Sequence, residues 1–189
     1  MIVLHEEKTE KKGTESATFR LDSEMLHALK NEAGQREISL NTFVNQIVRR
    51  FVHWDMHSSK AGMMQVPKPL LIDIIEKLDE KEISNMAAKH AKDVMRTIVL
   101  FLKNRYDAPS FLTVFEDWMK VSSISYKHTK DSDTEVYVMQ HELGLKWSQY
   151  FKVFVEKILE SFKLKVLEFE VSEKTLSFRI ATEEKVTQY

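Results

Sequence analysis

The chain has 189 residues, and its 28 Lys and Arg side chains nearly balance its 29 Asp and Glu side chains, so the formal net charge is −1. This length is compatible with one domain or with a small module joined to a larger one. The balanced charge lacks the basic character that by itself indicates nucleic-acid binding, and the absence of Cys excludes disulfides and thiolate metal sites. Evidence for a function must therefore come from local patterns.

The beginning of the chain does not have the pattern of a targeting segment. A short apolar stretch, Met1 to His5, is followed at once by charged residues, so the long apolar core of a signal peptide is missing. The apolar stretches elsewhere are much shorter than a membrane span. We therefore expect a cytoplasmic protein without a membrane partner.

A charged segment is followed by the pattern of a strand. Residues 6–12 are all charged except Thr9, and residues 1–14 predict a flexible arm. From Ser16 to Leu21 polar and apolar residues alternate, which predicts a half-buried strand. One short strand needs a partner for its backbone groups, and we expect the same strand of a second copy, with Phe19 and Leu21 facing a shared core. The side chains on the outer face of this ribbon are then those of Ser16, Thr18 and Arg20.

Two short helices are predicted after the strand. Asp22 can cap the first helix, which we expect to end between Gly34 and Glu37. An apolar stripe from Phe43 to Val52 predicts the second helix, for which Asn41 is a suitable N-cap. The periodicity then stops, and residues 58–66 are interpreted as a linker between two domains.

This order of elements resembles the ribbon-helix-helix DNA-binding family of the Arc, MetJ and CopG type. The similarity rests on two segments, Ala17-Thr-Phe-Arg-Leu-Asp22 and Ile38-Ser-Leu-Asn-Thr-Phe-Val-Asn45. It implies that residues 15–57 form an intertwined homodimer that binds double-stranded DNA, with the paired strands in the major groove. At the end of the first helix, where the family often has Gly, this sequence has Glu37.

The resemblance also implies which residues contact DNA. The outward strand residues Ser16, Thr18 and Arg20 would contact base edges, and an Arg that binds guanine through two hydrogen bonds contributes about 1–3 kcal/mol to discrimination. The family binds a phosphate with backbone N–H groups at the start of the second helix. The corresponding positions in this sequence are Ser39, Leu40, Asn41 and Thr42.

Residues 67–189 predict an α+β domain of unknown role with antiparallel hairpins. The pattern leaves open whether the two hairpins form one sheet within a chain or across a dimer. The predicted elements are a helix from about Leu70, a long helix from Glu82 to about Lys103, a helix that opens at Pro109, strands over Ser123–Thr129 and Glu135–His141, a helix after Gly144, and strands over Lys165–Val171 and Thr175–Ile180.

The sequence has no defined pattern for a metal site or for catalysis. His53 and His57 are four residues apart, and His128 and His141 lie on neighbouring predicted strands with Glu142 beside the latter. These residues do not have the spacing of a defined site, so we predict no bound metal and no cofactor. A glycine-rich phosphate loop and a nucleophile elbow are both missing, and we do not expect an enzyme.

These patterns predict a homodimeric, sequence-specific DNA-binding transcriptional regulator. The C-terminal domain would add dimer contacts, assembly beyond the dimer, or a response to a protein partner or small-molecule effector. Two alternatives remain open. One is an antitoxin-like DNA-binding protein that neutralises a partner protein, and the other is a dimeric interaction protein that does not bind DNA.

Overall fold

The computed structural model of the protein describes residues 13–181, and the chain divides into two units, Met1–Ile47 and Val48–Tyr189. In the first unit helix α1 covers Ser23–Gln35. Helix α2 covers Leu40–Arg50, so the division between the units falls inside a helix. The chain therefore passes from one unit to the other without a loop at the point of division.

Both helices of the first unit begin at a side chain that accepts a hydrogen bond from the backbone. The Asp22 carboxylate accepts from the Met25 N–H at 2.8 Å, which confirms the predicted cap of α1. At the start of α2 the Ser39 hydroxyl accepts from the Thr42 N–H at 3.0 Å. The prediction that Asn41 caps this helix is therefore wrong, because Asn41 already lies in its first turn.

Helix α1 ends at Gln35, between Gly34 and Glu37 as predicted, and the chain leaves it through a left-handed residue. The Ile38 N–H donates to the Ala33 carbonyl at 3.0 Å, and the Glu37 N–H donates to the Gly34 carbonyl at 3.1 Å. This pair of bonds is the Schellman arrangement, and it places Glu37 at φ 55. Glycine is common at this position because it has no Cβ to clash there. The departure from the family pattern at Glu37 therefore has a conformational cost.

Residues 16–21 do not pair with another strand in the described chain. Phe19 is 71% exposed and Leu21 is 46% exposed, so the single chain does not cover the two side chains that were expected in a core. A strand ladder needs a neighbour that supplies N–H and C=O groups. For this segment such a ladder would require a second chain. The predicted pairing of residues 16–21 with the same strand of a second copy therefore remains a prediction.

The second unit continues α2 through a π-helical turn, Phe51–Asp55, and a short helix α3, Met56–Ser58. The predicted linker, 58–66, lies within this unit. The remaining elements follow in the predicted order. They are α4 (Lys68–Glu76), α5 (Glu80–Lys89), a π-helical segment (His90–Met95), α6 (Arg96–Lys103), α7 (Ala108–Val121), β1 (Ser125–Lys130), β2 (Thr134–Gln140), α8 (Leu145–Ser161), β3 (Val166–Val171) and β4 (Thr175–Ala181).

The four strands form one antiparallel sheet in the order β1-β2-β4-β3, so both hairpins belong to a single sheet within the chain. Tyr137 of β2 lies opposite Phe178 of β4, and their rings stack with centroids 5.1 Å apart. The buried stripe of α8 and the buried side of α7 join this face of the sheet in one core. The second unit is therefore an α+β domain with its own hydrophobic core.

Candidate nucleic-acid interface

The three predicted base-contacting residues are all exposed. Ser16, Thr18 and Arg20 occupy alternate positions of the segment before α1. Within residues 13–181 none of their side chains has a hydrogen bond or an ion pair with the protein. These donors and acceptors therefore remain available to a ligand. Their arrangement on a paired ribbon would depend on the second chain.

The predicted phosphate site lies at the first turn of α2. The N–H of Thr42 is already bonded to the Ser39 hydroxyl, while no acceptor contacts the N–H groups of Leu40 and Asn41 within the described chain. The Asn41 side chain accepts from the Asn45 amide at 3.3 Å. The first N–H groups of a helix carry partial positive charge, which favours an anion there. Three of the four predicted positions, Ser39, Leu40 and Asn41, thus have a backbone N–H without an acceptor in the described chain.

The basic side chains near this module differ in how strongly they are engaged. The Arg36 guanidinium binds the Glu32 carboxylate at 2.6 Å and lies 5.0 Å over the Phe43 ring. In contrast, Lys30 and Arg49 are exposed and have no carboxylate partner among residues 13–181. In the first unit Arg20 and Lys30 are thus cations without a carboxylate partner among the described residues.

The first unit has almost no interior of its own. In residues 13–47 the buried apolar side chains are those of Ala33 and Phe43. Met25 is 56% exposed and Ile47 is 42% exposed, in addition to the exposed strand residues Phe19 and Leu21. A unit with so little buried apolar surface cannot offset the entropy that folding costs it. In the single chain these apolar side chains stay exposed to solvent.

Three of the four histidines considered for a metal site, His57, His128 and His141, contact other side chains or the backbone. The two ring nitrogens of His128 lie 3.1 Å from different carboxylates, those of Glu116 and Glu135, and the ring stacks on Tyr137 at 4.1 Å. His57 packs edge-on against the Phe101 ring. Among residues 13–181 no group of three or more His, Asp or Glu side chains is arranged to hold a metal ion.

His141 and Ser148 are in contact, as a catalytic base and nucleophile would be, but their hydrogen bonds exclude that role. The Leu143 N–H donates to His141 Nδ1 at 3.0 Å, so the ring proton lies on Nε2, which donates to Ser148 Oγ at 2.8 Å. Ser148 in turn donates to the Ser172 carbonyl. The imidazole cannot accept the serine proton in this arrangement, and the chain of bonds is structural.

Burial, with a smaller contribution from the charge of Lys68, lowers the pKa of His141 from 6.5 to about 4. The side chain is completely inaccessible to solvent, with 0% exposure. A buried imidazole whose two nitrogens are both bonded in the neutral form has no favourable place for a second proton. His141 is therefore neutral at physiological pH and ties the end of β2 to α8.

Sequence reasoning missed a cavity of about 450 Å³ in the second unit. Its lining includes Trp54, which is only 6% exposed, and Trp118 of α7. Trp54 lies outside the apolar stripe predicted for α2, because the π-helical turn changes the helical period at that point.

Comparisons with known proteins do not assign the chain to a family: no family model matches it, and no curated protein is significantly similar to it. No helix in the described part of the chain is both long enough and apolar enough to cross a bilayer.

Proposed function

We propose that the protein is a homodimeric regulator that binds double-stranded DNA in a sequence-specific manner. The observation that carries the proposal is the exposure of apolar side chains in residues 13–47. Their two buried apolar side chains do not make a core, while Phe19 and Leu21 are exposed on a segment whose alternate residues are polar. Pairing two copies of this segment would cover the apolar side chains and leave the polar ones on the opposite face.

The free groups of the module suit a nucleic acid. Arg20 has no protein partner among the described residues and can bind the O6 and N7 atoms of a guanine. The free N–H groups of Leu40 and Asn41 can bind a backbone phosphate. Because the chain as a whole carries no excess of positive charge, we expect these local contacts to supply the affinity.

Dimer formation is tested with Leu21→Asp, which places a charge in the proposed shared core. We expect this variant to sediment as a monomer at concentrations where the wild type is a dimer. Leu100→Asp is a matched control, because Leu100 is 41% exposed on α6 in the second unit and Leu21 is 46% exposed. A Leu21→Asp protein that remains dimeric would show that the shared core is elsewhere.

DNA binding is tested with the promoter region of the protein's own gene against a random duplex, at two salt concentrations. We expect preference for the promoter, a decrease in affinity with salt, and loss of the preference in Arg20→Ala. Lys92→Ala, which removes an exposed charge from the second unit, should bind as the wild type does. A dimer that binds neither duplex would identify the module as a dimerisation device that serves a protein partner.

A further inference from the structure

The cavity beside Trp54 has the size and lining of a small-molecule site. Its volume of about 450 Å³ lies within the range of about 300–1,000 Å³ that is typical of such sites. Indole rings and aliphatic side chains make up much of its wall, including those of Trp54, Trp118, Met63 and Leu71. All lining residues belong to the second unit.

The two indole rings are held in place by the core. Trp54 is 6% exposed and belongs to the hydrophobic core of the second unit. The Trp118 ring stacks on Phe115 with centroids 5.8 Å apart and packs against Phe151 at 5.7 Å. Rigid aromatic walls need little ordering when a ligand binds, so they favour a flat apolar or aromatic body.

The polar groups of the lining favour a negative charge. Lys68 is half-buried and has no carboxylate partner within the described residues. Arg50 and Asp55 also line the cavity, and their charges offset each other at 3.3 Å, so Lys68 supplies the net positive charge of the lining. An anionic ligand group would pair with this ammonium group through a charge-assisted hydrogen bond.

We propose that this cavity binds a small carboxylate with a flat apolar body, whose carboxylate pairs with Lys68 and whose body packs against Trp54 and Trp118. The proposal concerns the second unit alone and does not depend on the proposed DNA-binding function. If the protein is also a regulator of transcription, such a ligand is a natural effector, because the cavity wall begins at the end of α2.

The test uses 2-naphthoate as the probe and its neutral analogue 2-naphthamide, added to the full chain and followed by isothermal titration calorimetry. We expect saturable binding of 2-naphthoate at one site per chain with a Kd below about 1 mM, and at least about tenfold weaker binding of 2-naphthamide. In ¹H–¹⁵N spectra the probe should shift the indole N–H signals of Trp54 and Trp118. Each signal is assigned by replacing one Trp with Phe.

Substitutions of Lys68 distinguish the effect of its charge on ligand binding from an effect on the structure of the cavity. Lys68→Gln should weaken 2-naphthoate binding about tenfold and leave 2-naphthamide binding unchanged, which shows that the cavity is intact. Lys68→Arg should restore carboxylate binding, and Lys92→Gln should bind both probes as the wild type does. The proposal is overturned if 2-naphthoate does not saturate, if it binds without moving either indole signal, or if Lys68→Gln binds it as tightly as the wild type.

Discussion

The neutral state of His141 predicts a specific loss of stability in mild acid. Burial lowers the pKa of this imidazole to about 4 in the folded chain, against 6.5 for an exposed histidine. Below pH 6.5 the unfolded chain therefore takes up a proton that the folded chain does not, and the free energy of unfolding decreases with decreasing pH. Linkage gives a loss of about 2 kcal/mol between pH 7 and pH 5 and about 2.8 kcal/mol between pH 7 and pH 4, with a limit of about 3.4 kcal/mol well below the folded pKa of about 4.

Urea denaturation followed by tryptophan fluorescence measures this loss in the relevant part of the molecule, since the chain's 3 Trp residues all lie in the second unit. His141→Gln is the comparison protein, because it keeps a hydrogen-bonding side chain but cannot take up the proton. Its unfolding free energy should change by about 2 kcal/mol less than that of the wild type over the same pH range. An NMR titration of the His141 ring gives the folded pKa directly. Equal pH dependence in the two proteins, or a His141 ring that titrates near 6.5, would refute the neutral state of His141 and its hydrogen bond to Ser148.

Three further substitutions test the local geometry. Glu37→Gly should stabilise the first unit by about 0.5–1 kcal/mol, because it removes a side chain from a left-handed position. Amide hydrogen exchange in α1 should then be slower than in the wild type. Faster exchange would contradict the left-handed conformation of residue 37. Phe178→Ala should lower the unfolding free energy of the second unit by about 3–5 kcal/mol in urea denaturation, and a loss below about 1 kcal/mol would place its ring outside the core. Ser148→Ala should cost about 1–3 kcal/mol in the same assay, because it leaves the buried Nε2–H of His141 without an acceptor; an unchanged stability would mean that this bond is absent.

Sequence reasoning identified the helices whose signals are local. The Asp22 carboxylate and the Pro109 ring act within one turn, and the starts of α1 and α7 follow from them. The prediction of the N-cap of α2 was wrong because two suitable capping residues lie close together in the sequence. Ser39 and Asn41 are both good caps, and the choice of Ser39 depends on the path of the chain leaving the Schellman turn at Glu37.

Non-local features were beyond the sequence patterns. The alternation within each strand predicts which side chains share a face, but the pairing of β2 with β4 is set by packing on the helices. For the candidate site the polar residues of the first strand could be named from alternation, while their grouping on one surface depends on a second chain. The cavity could not be predicted, since Trp54 reaches it through a π-helical turn and Lys68 follows a loop.

The burial of Trp54 restricts how the protein can be divided or recombined. A fragment that ends at Ser58 carries this indole away from the core in which it is packed, and the remaining chain loses a large buried side chain at a cost of about 3–5 kcal/mol. A fragment that starts at Val48 keeps the indole but begins in the middle of α2. An exchange of the N-terminal module with that of another protein would therefore have to be made inside a helix, with the helical phase preserved, and not in the loop that follows it.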